Sequence, residues 1–277
     1  MADMEYSVLM SVYYREKASN LQMAMQSIWK QTVPTDDFVL VCDGPLNEEL
    51  DTVIAKMQSV HPELHVIRSE KNEGLGNALN KGMKHCKHEL IARMDSDDIS
   101  INTRIEKQLN VFASDSAVSI CSGEIEEFAE SQENIIARRV LPERHEDIIS
   151  FAKKRNPFNH PCVMYKKQAV DNAGGYQDFY LLEDYYLWVR MLNQGCIGYN
   201  VQEPLLLMRA GDALYSRRGG SSYAKSVRKL FSFMLSIGFI TRRQYYSAVV
   251  SRSAAAIAPN WLRKKVYLKL LREKGNG

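Results

Sequence analysis

Glu89-Leu-Ile-Ala-Arg-Met-Asp-Ser-Asp-Asp98 is a short apolar run that ends in three carboxylates. Residues Glu89–Met94 read as a buried strand, and the acids fall at its carboxyl end. Working outward toward the N-terminus, three more strands alternate with helices. Tyr6–Val12 (YSVLMSV) is a buried strand, and Leu21, Met25, Ile28 and Trp29 mark the helix face after it. Phe38–Cys42 (FVLVC) is a second strand, stopped by Asp43-Gly44-Pro45. Leu50, Val53, Ile54 and Met57 mark the next helix, Leu64–Arg68 the third strand, and Leu75, Leu79 and Met83 a third helix. Strand–helix repetition predicts an α/β fold with a parallel sheet and helices on both faces. Ligands bind such sheets at the carboxyl ends of the strands, so the loops after Val12, Cys42, Arg68 and Met94 are expected to share one rim.

Three carboxylates within four residues, Asp95, Asp97 and Asp98, repel one another. A hard divalent ion with oxygen ligands, Mg²⁺ or Mn²⁺, would offset that repulsion. A solvated acidic loop or a helix N-cap is the plainer alternative. A second acidic pair, Glu183-Asp184, opens a helix that continues through Leu192. Two acids suit a helix N-terminus, and either also suits a general base for an acceptor hydroxyl. Asp43 is placed either to bind a base or ribose or to serve the Asp-Gly-Pro turn. In Asn156-Pro-Phe-Asn-His-Pro161, His160 lies between turn signals, free to contact an acceptor or diphosphate or to cap a loop.

Downstream of the acidic loop the pattern changes. Ala117–Phe128 and Ile135–Leu141 read as strands with no helix between them, hence as an antiparallel pair. Ile148–Ala152 is too short to assign, and Val201–Met208 is a last strand. The C-terminal region reads as helices: Tyr223, Val227, Leu230, Phe231, Met234 and Leu235 form one stripe, Tyr245, Val249, Ala254 and Ile257 a weaker one, and Trp261, Leu262, Val266, Leu270 and Leu271 a third.

The charge is unevenly spread. Residues 217–277 hold fourteen Lys and Arg against one acid, Glu273, a balance of +13, while the preceding 216 residues carry −10. A basic amphipathic segment on an acidic body suggests an anionic membrane surface; the alternative is helices packed on the body with a solvated basic face. The continuous apolar stripe argues against nucleic acid, which would leave it unused. Of the 277 residues, 45% are apolar and 25% charged, which excludes wholesale disorder. No apolar run reaches the ~18–20 residues of a membrane span. The start, Met1–Glu5, has no basic and apolar leader pattern, and the five Cys have no framework spacing, so a reducing cytoplasm is expected.

Six segments in fixed order carry a resemblance: Tyr6–Glu16, Ser27–Thr32, Val39–Asp43, Asn72–Gly82, Ala92–Asp98 and Glu183–Trp188. Together, over about residues 5–210, they resemble a family 2 glycosyltransferase of the GT-A fold, of the bacterial O-antigen and exopolysaccharide type. The resemblance implies a Rossmann-like mixed sheet flanked by helices, with a nucleotide-binding half (1–98), an acceptor-binding half (99–216) and the basic helical region (217–277). It implies a UDP-sugar donor, Mn²⁺ or Mg²⁺, and inversion at the anomeric carbon. By motif, Ser11 and Tyr13 would line the nucleoside pocket and Asp43 would bind the base. Asp95 would touch the ribose or the metal, Asp97 would ligate the metal, and Asp184 would be the catalytic base with Glu183 beside it. The sequence departs from the family's Ala-Arg-Asn-x-Gly at Leu79 and from its Pro-Thr-Tyr-Asn at Ser11-Val-Tyr-Tyr14. Lacking the first arginine, a cationic donor contact is expected from Arg68 or Arg93. Arg217 and Arg218 resemble a segment that closes over the donor, and guanidinium suits phosphate.

The expected reaction moves glucose or galactose to a hydroxyl of GlcNAc- or GalNAc-diphosphate-polyprenol at the inner face of the bacterial inner membrane. The competing readings are a polyprenyl-phosphate sugar synthase and a non-catalytic nucleotide-sugar-binding subunit.

Overall fold

The computed structural model describes residues 4–210, 220–257 and 273–274. Strands β1 (Tyr6–Val12), β2 (Phe38–Cys42), β3 (Leu64–Arg68) and β4 (Leu90–Asp95) alternate with helices α1 (Ala18–Trp29), α2 (Glu48–Val60) and α3 (Leu75–Met83), as expected. The four strands pair in parallel in the order β4-β1-β2-β3, so their carboxyl ends share one rim. Side-chain alternation along the strands divides the core between the two faces. Val8, Met10 and Leu40 pack with Leu21, Met25 and Ile28 of α1 and Leu50 and Ile54 of α2. Leu9, Val39, Val41 and Ile91 pack with Leu79 and Met83 of α3 on the other face. A Cβ on Gly82 would stand 2.3 Å from Leu9 Cδ1 and 2.7 Å from Val41 Cγ2, so α3 lies closer to the sheet than any other residue there would permit.

The second half completes the sheet with mixed pairing. Its elements are β5 (Ile99–Ser100), α4 (Arg104–Ser114), β6 (Val118–Phe128), β7 (Ile135–Arg139), α5 (His145–Ala152), β8 (Met164–Lys166), α6 (Lys167–Asn172), α7 (Glu183–Asn193) and β9 (Ile197–Arg209). The antiparallel β6–β7 pair is present. The stretch 148–152, left unassigned from sequence, is the end of α5. β8 was not foreseen: three residues carry no periodicity. It pairs antiparallel with β4 on one side and β6 on the other, and so joins the two halves of the sheet. β9 runs parallel to β6 and antiparallel to β5.

Two further helices follow, α8 (Gly220–Ser236) and α9 (Arg242–Ile257), and Glu273–Lys274 (β10) pairs with β7. The α8 stripe corrects one expectation. Tyr223, Val227, Leu230, Phe231 and Met234 are buried in the same cluster as Trp188 of α7, so this stripe faces the body and no lipid. Charge alone could not reveal it, because an amphipathic face looks the same whichever apolar surface covers it. On α9, Tyr246 and Val250 stay exposed. The third stripe, 261–271, lies outside the described residues. Among the described residues no helix is long and apolar enough to cross a membrane.

Candidate active site

Asp95 ends β4 directly beside Ser11 of β1. In the turn that follows, one carboxylate oxygen each from Asp95, Asp97 and Asp98 lies within 4.8 Å of the others. That spacing and an all-oxygen donor set fit a hard divalent cation. The electrostatics agree. Burial, reinforced by Asp95 and Glu16, pushes the Asp97 carboxyl up to about 7, and burial with Asp97 and Asp95 pushes Asp98 well above the usual range. Carboxyls so disfavoured as anions are stabilised by a bound cation.

Beneath this cluster lie two buried guanidiniums. The side chains of Arg93 and Asp95 share one face of β4, and Arg93 pairs with Asp95. Arg104 in turn donates from Nη2 to the Arg93 carbonyl (2.7 Å). Arg93 is 1% exposed and serves Asp95 as its counter-ion. Arg68, the other candidate, is exposed on β3 and pairs with Asp51 of α2 at 2.7 Å. Leu79, at the missing arginine's place, is fully buried in the core under α3. Arg217 and Arg218 lie outside the described residues.

Arg209, at the end of β9, was missed as a site residue. Its backbone N–H donates to Asp98 Oδ1 (2.9 Å), and its Nε donates to the Asp97 carbonyl (3.2 Å). In sequence it stands eight residues before Arg217 and 111 after Asp98, with no motif to mark it. The antiparallel β5–β9 pairing, with Ile99 opposite Leu207, carries it back to the acidic turn.

Asp43 is buried after β2, where its carboxylate accepts the Glu73 N–H (2.7 Å) and the Gly74 N–H (3.0 Å). The loop 72–74 is thereby drawn to the rim. A Cβ on Gly44 would meet the Asn72 nitrogen at 2.7 Å, and φ there is +90°. Each carboxylate oxygen keeps a second lone pair for a ligand N–H. Tyr13 is 40% exposed at the end of β1, and its ring packs edge-on against Tyr14.

Glu183 and Asp184 open α7 on the opposite wall. Leu181 precedes them with φ +59°, a left-handed turn that costs a branched side chain about 1–3 kcal/mol and that gathers at functional sites. Burial, then Asp184, pushes Glu183 up to about 7; Asp95 adds to this and Arg93 opposes it. The Glu183 carboxyl is therefore close enough to the acidic turn to feel the charge of Asp95. Asp184 accepts Asn156 Nδ2 at 2.6 Å and the Tyr185 N–H at 2.6 Å. His160 meets the Tyr176 hydroxyl at 2.9 Å and packs against the Trp188 ring. Burial, then Arg93, holds its imidazole well below the ordinary value, so it is neutral. Asn80 of α3 clasps Tyr176 in both directions, accepting its N–H (2.8 Å) and donating to its carbonyl (2.6 Å). Neither Asn80 nor Tyr176 was singled out as a site residue.

The sequence profile of glycosyl transferase family 2 matches residues 7–173, which include the acidic turn and all four rim loops. The chain belongs to glycosyl transferase family 2. It is 35% identical over 268 residues to the UDP-Gal:alpha-D-GlcNAc-diphosphoundecaprenol beta-1,3-galactosyltransferase of Escherichia coli, covering 97% of each chain. To the amylovoran biosynthesis glycosyltransferase AmsE of Erwinia amylovora it is 39% identical over 244 residues, 87% of this chain and 91% of that one. Among solved structures, the mannosyltransferase PcManGT of Pyrobaculum calidifontis, in complex with GDP-Man and Mn2+, superposes with a TM-score of 0.64 at 15% identity, over 96% of this chain and 80% of that one. The fold of this glycosyltransferase is GT-A, and its relatives are bacterial exopolysaccharide and O-antigen enzymes.

Proposed function

We propose that this glycosyltransferase moves glucose or galactose, with inversion, from a UDP-sugar to a hydroxyl of a GlcNAc- or GalNAc-diphosphate-polyprenol, with Mn²⁺ or Mg²⁺ as cofactor. The observation that carries the reading is two acidic groups close enough to feel each other: the 4.8 Å carboxylate cluster at the end of β4 and the Glu183–Asp184 pair on α7. The end-to-end relative named for UDP-Gal and a diphosphoundecaprenol-linked GlcNAc supports the substrate classes. Asp97 and Asp95 would hold the cation, with Asp98 beside them tied to Arg209. When bound, the cation stabilises negative charge on the leaving diphosphate. Ser11, Tyr13 and Asp43 line the nucleoside end of the rim. Asp184 takes the proton of the acceptor hydroxyl as that oxygen attacks, and Glu183 shares the same wall. His160, hydrogen-bonded to the Tyr176 hydroxyl and kept uncharged by burial, is the residue proposed to contact the acceptor or diphosphate.

Mass analysis after incubation with Mn²⁺, a panel of UDP- and GDP-sugars and a synthetic GlcNAc- or GalNAc-diphosphate-lipid tests the reading. One hexose added from a UDP-sugar, and stopped by EDTA, is expected. UDP binding without any product would favour the non-catalytic alternative.

Membrane association at the inner face of the bacterial inner membrane belongs to the same reading, with 217–277 as the attaching region. Residues 220–257 carry six Lys and Arg and no acid, and Tyr246 and Val250 stand exposed beside Arg242 and Arg243 on α9. Binding to vesicles containing anionic lipid is expected to weaken steeply between low salt and physiological ionic strength, as screened charge requires. Equal recovery with neutral and anionic vesicles would refute it.

A further inference from the structure

The Asn156-Pro-Phe-Asn-His-Pro161 segment lies on the acceptor side of the cleft, and one of its side chains reaches the proposed base. Asn156 Nδ2 donates to Asp184 Oδ2 at 2.6 Å across 28 residues of chain. The orientation of the amide is set from behind: Asn156 Oδ1 accepts the Phe158 N–H (3.4 Å), which leaves the NH₂ group facing Asp184. The backbone there is anchored too. Arg139 of β7 donates from Nη2 to the Asn156 carbonyl (2.9 Å), and Phe158 is fully buried with its ring edge-on to Trp188 of α7 (5.9 Å). Further along, Asn159 is buried and donates to the Gly123 carbonyl of β6 (2.7 Å). Strands β6 and β7 and helix α7 thus all fix the point from which the amide reaches out. A carboxylate on the first turn of a helix otherwise swings about χ1 and χ2, and rotamer freedom at a base is rate lost.

We infer that Asn156 is a positioning residue: its amide clamps one oxygen of Asp184 and thereby aims the carboxylate at the acceptor hydroxyl. Resting on the proposed role of Asp184, this explains why an amide and no acid occupies the position. A neutral NH₂ donor holds an anion in place, whereas a second carboxylate at 2.6 Å would repel it or share its proton and so remove the base.

The order of two substitutions separates positioning from mere packing. Asn156→Asp keeps size and shape but replaces the donor with an acceptor; Asn156→Ala leaves a gap and no repulsion. For a positioning residue, kcat is expected to fall about 100-fold in Asn156→Asp and about tenfold in Asn156→Ala, with the KM for the UDP-sugar within twofold of wild type. A packing role predicts the opposite order. A second readout needs no turnover. Asn156→Asp alone is expected to lower the melting temperature, and the exchanged pair, Asn156→Asp with Asp184→Asn, is expected to recover most of that loss, because donor and acceptor have only traded places. The inference is overturned if Asn156→Asp retains kcat within twofold of wild type, if it is less impaired than Asn156→Ala, or if the exchanged pair melts no higher than Asn156→Asp. Full transfer by Asp184→Asn alone would instead remove the base reading. Recovery of melting temperature in the exchanged pair would still stand as proof of the contact, so the two failures are told apart.

Discussion

Asp184→Asn is expected to lower hexose transfer to a sugar hydroxyl by about 10²–10⁴-fold, the range a positioned general base supplies, while UDP binding persists. The substitution preserves shape, and an Asn at the first turn of α7 still accepts the Tyr185 N–H that Asp184 accepts at 2.6 Å. What it removes is the ability to take a proton. The comparison that gives the result meaning is acceptor type. A phosphate oxygen is already an anion and needs no base. A polyprenyl-phosphate sugar synthase built on this fold would therefore pass through Asp184→Asn with its rate nearly intact. Steady-state rates with a GlcNAc-diphosphate-lipid and with a polyprenyl phosphate, in wild type and variant, decide between the two readings. Glu183→Gln belongs in the same series. Glu183 is raised to about 7 by burial and by Asp184, and if it is the proton acceptor instead, the two variants will exchange severities.

The second large effect falls on Asp97. If Asp97 holds the cation as proposed, its loss removes several kcal/mol of charge stabilisation in the transition state, so Asp97→Asn is expected to cost about 10³-fold in kcat at moderate Mn²⁺. A melting experiment tests the same site without substrate. The Asp97 carboxyl rises from 3.8 to about 7 on folding, and Glu183 from 4.5 to about 7. A carboxyl whose pKa is raised by folding favours the folded state only while protonated. Cation-free protein is therefore expected to lose stability as pH climbs from 4 through 7, with that loss nearly complete once both carboxyls have ionised. Mn²⁺ or Mg²⁺ is expected to restore the melting temperature on the alkaline side, by binding the folded form alone. In Asp97→Asn the decline with pH shrinks and the cation response disappears. A wild-type melting temperature indifferent to both pH and cation would mean that the acidic turn is a solvated loop.

Much of this site can be read from residue order because the first hundred residues obey simple rules. Four apolar runs, each ended by turn chemistry, predict four strands, and the parallel arrangement then places Ser11, Asp43 and Asp95 on one rim. The acidic turn announces itself by charge density alone. Other features depend on distances that sequence does not encode. Asn156 meets Asp184 only because β7 and α7 converge. Arg209 returns to Asp98 because β9 runs antiparallel to β5, the short strand that follows the acidic turn. Arg93 has the same residue type as a surface phosphate ligand, yet the strand's alternation turns it inward beneath Asp95. The α8 stripe was visible, but what covers it was not: burial against Trp188 is a fact about the partner surface, not about the helix.

The three-residue strand β8 has a mechanical meaning. It leaves the acceptor side, inserts against β4 and closes the sheet between the donor strands and β6, while Asn80 clasps Tyr176 from the other direction. The segments before and after residue 98 are thus joined in one sheet. Cut there, the first piece would end in an unpaired β4 edge and a buried arginine laid open to water, and the second would lack the strand that β8 leans on. A graft of residues 1–98 from a relative would therefore have to bring a matching β8 with it.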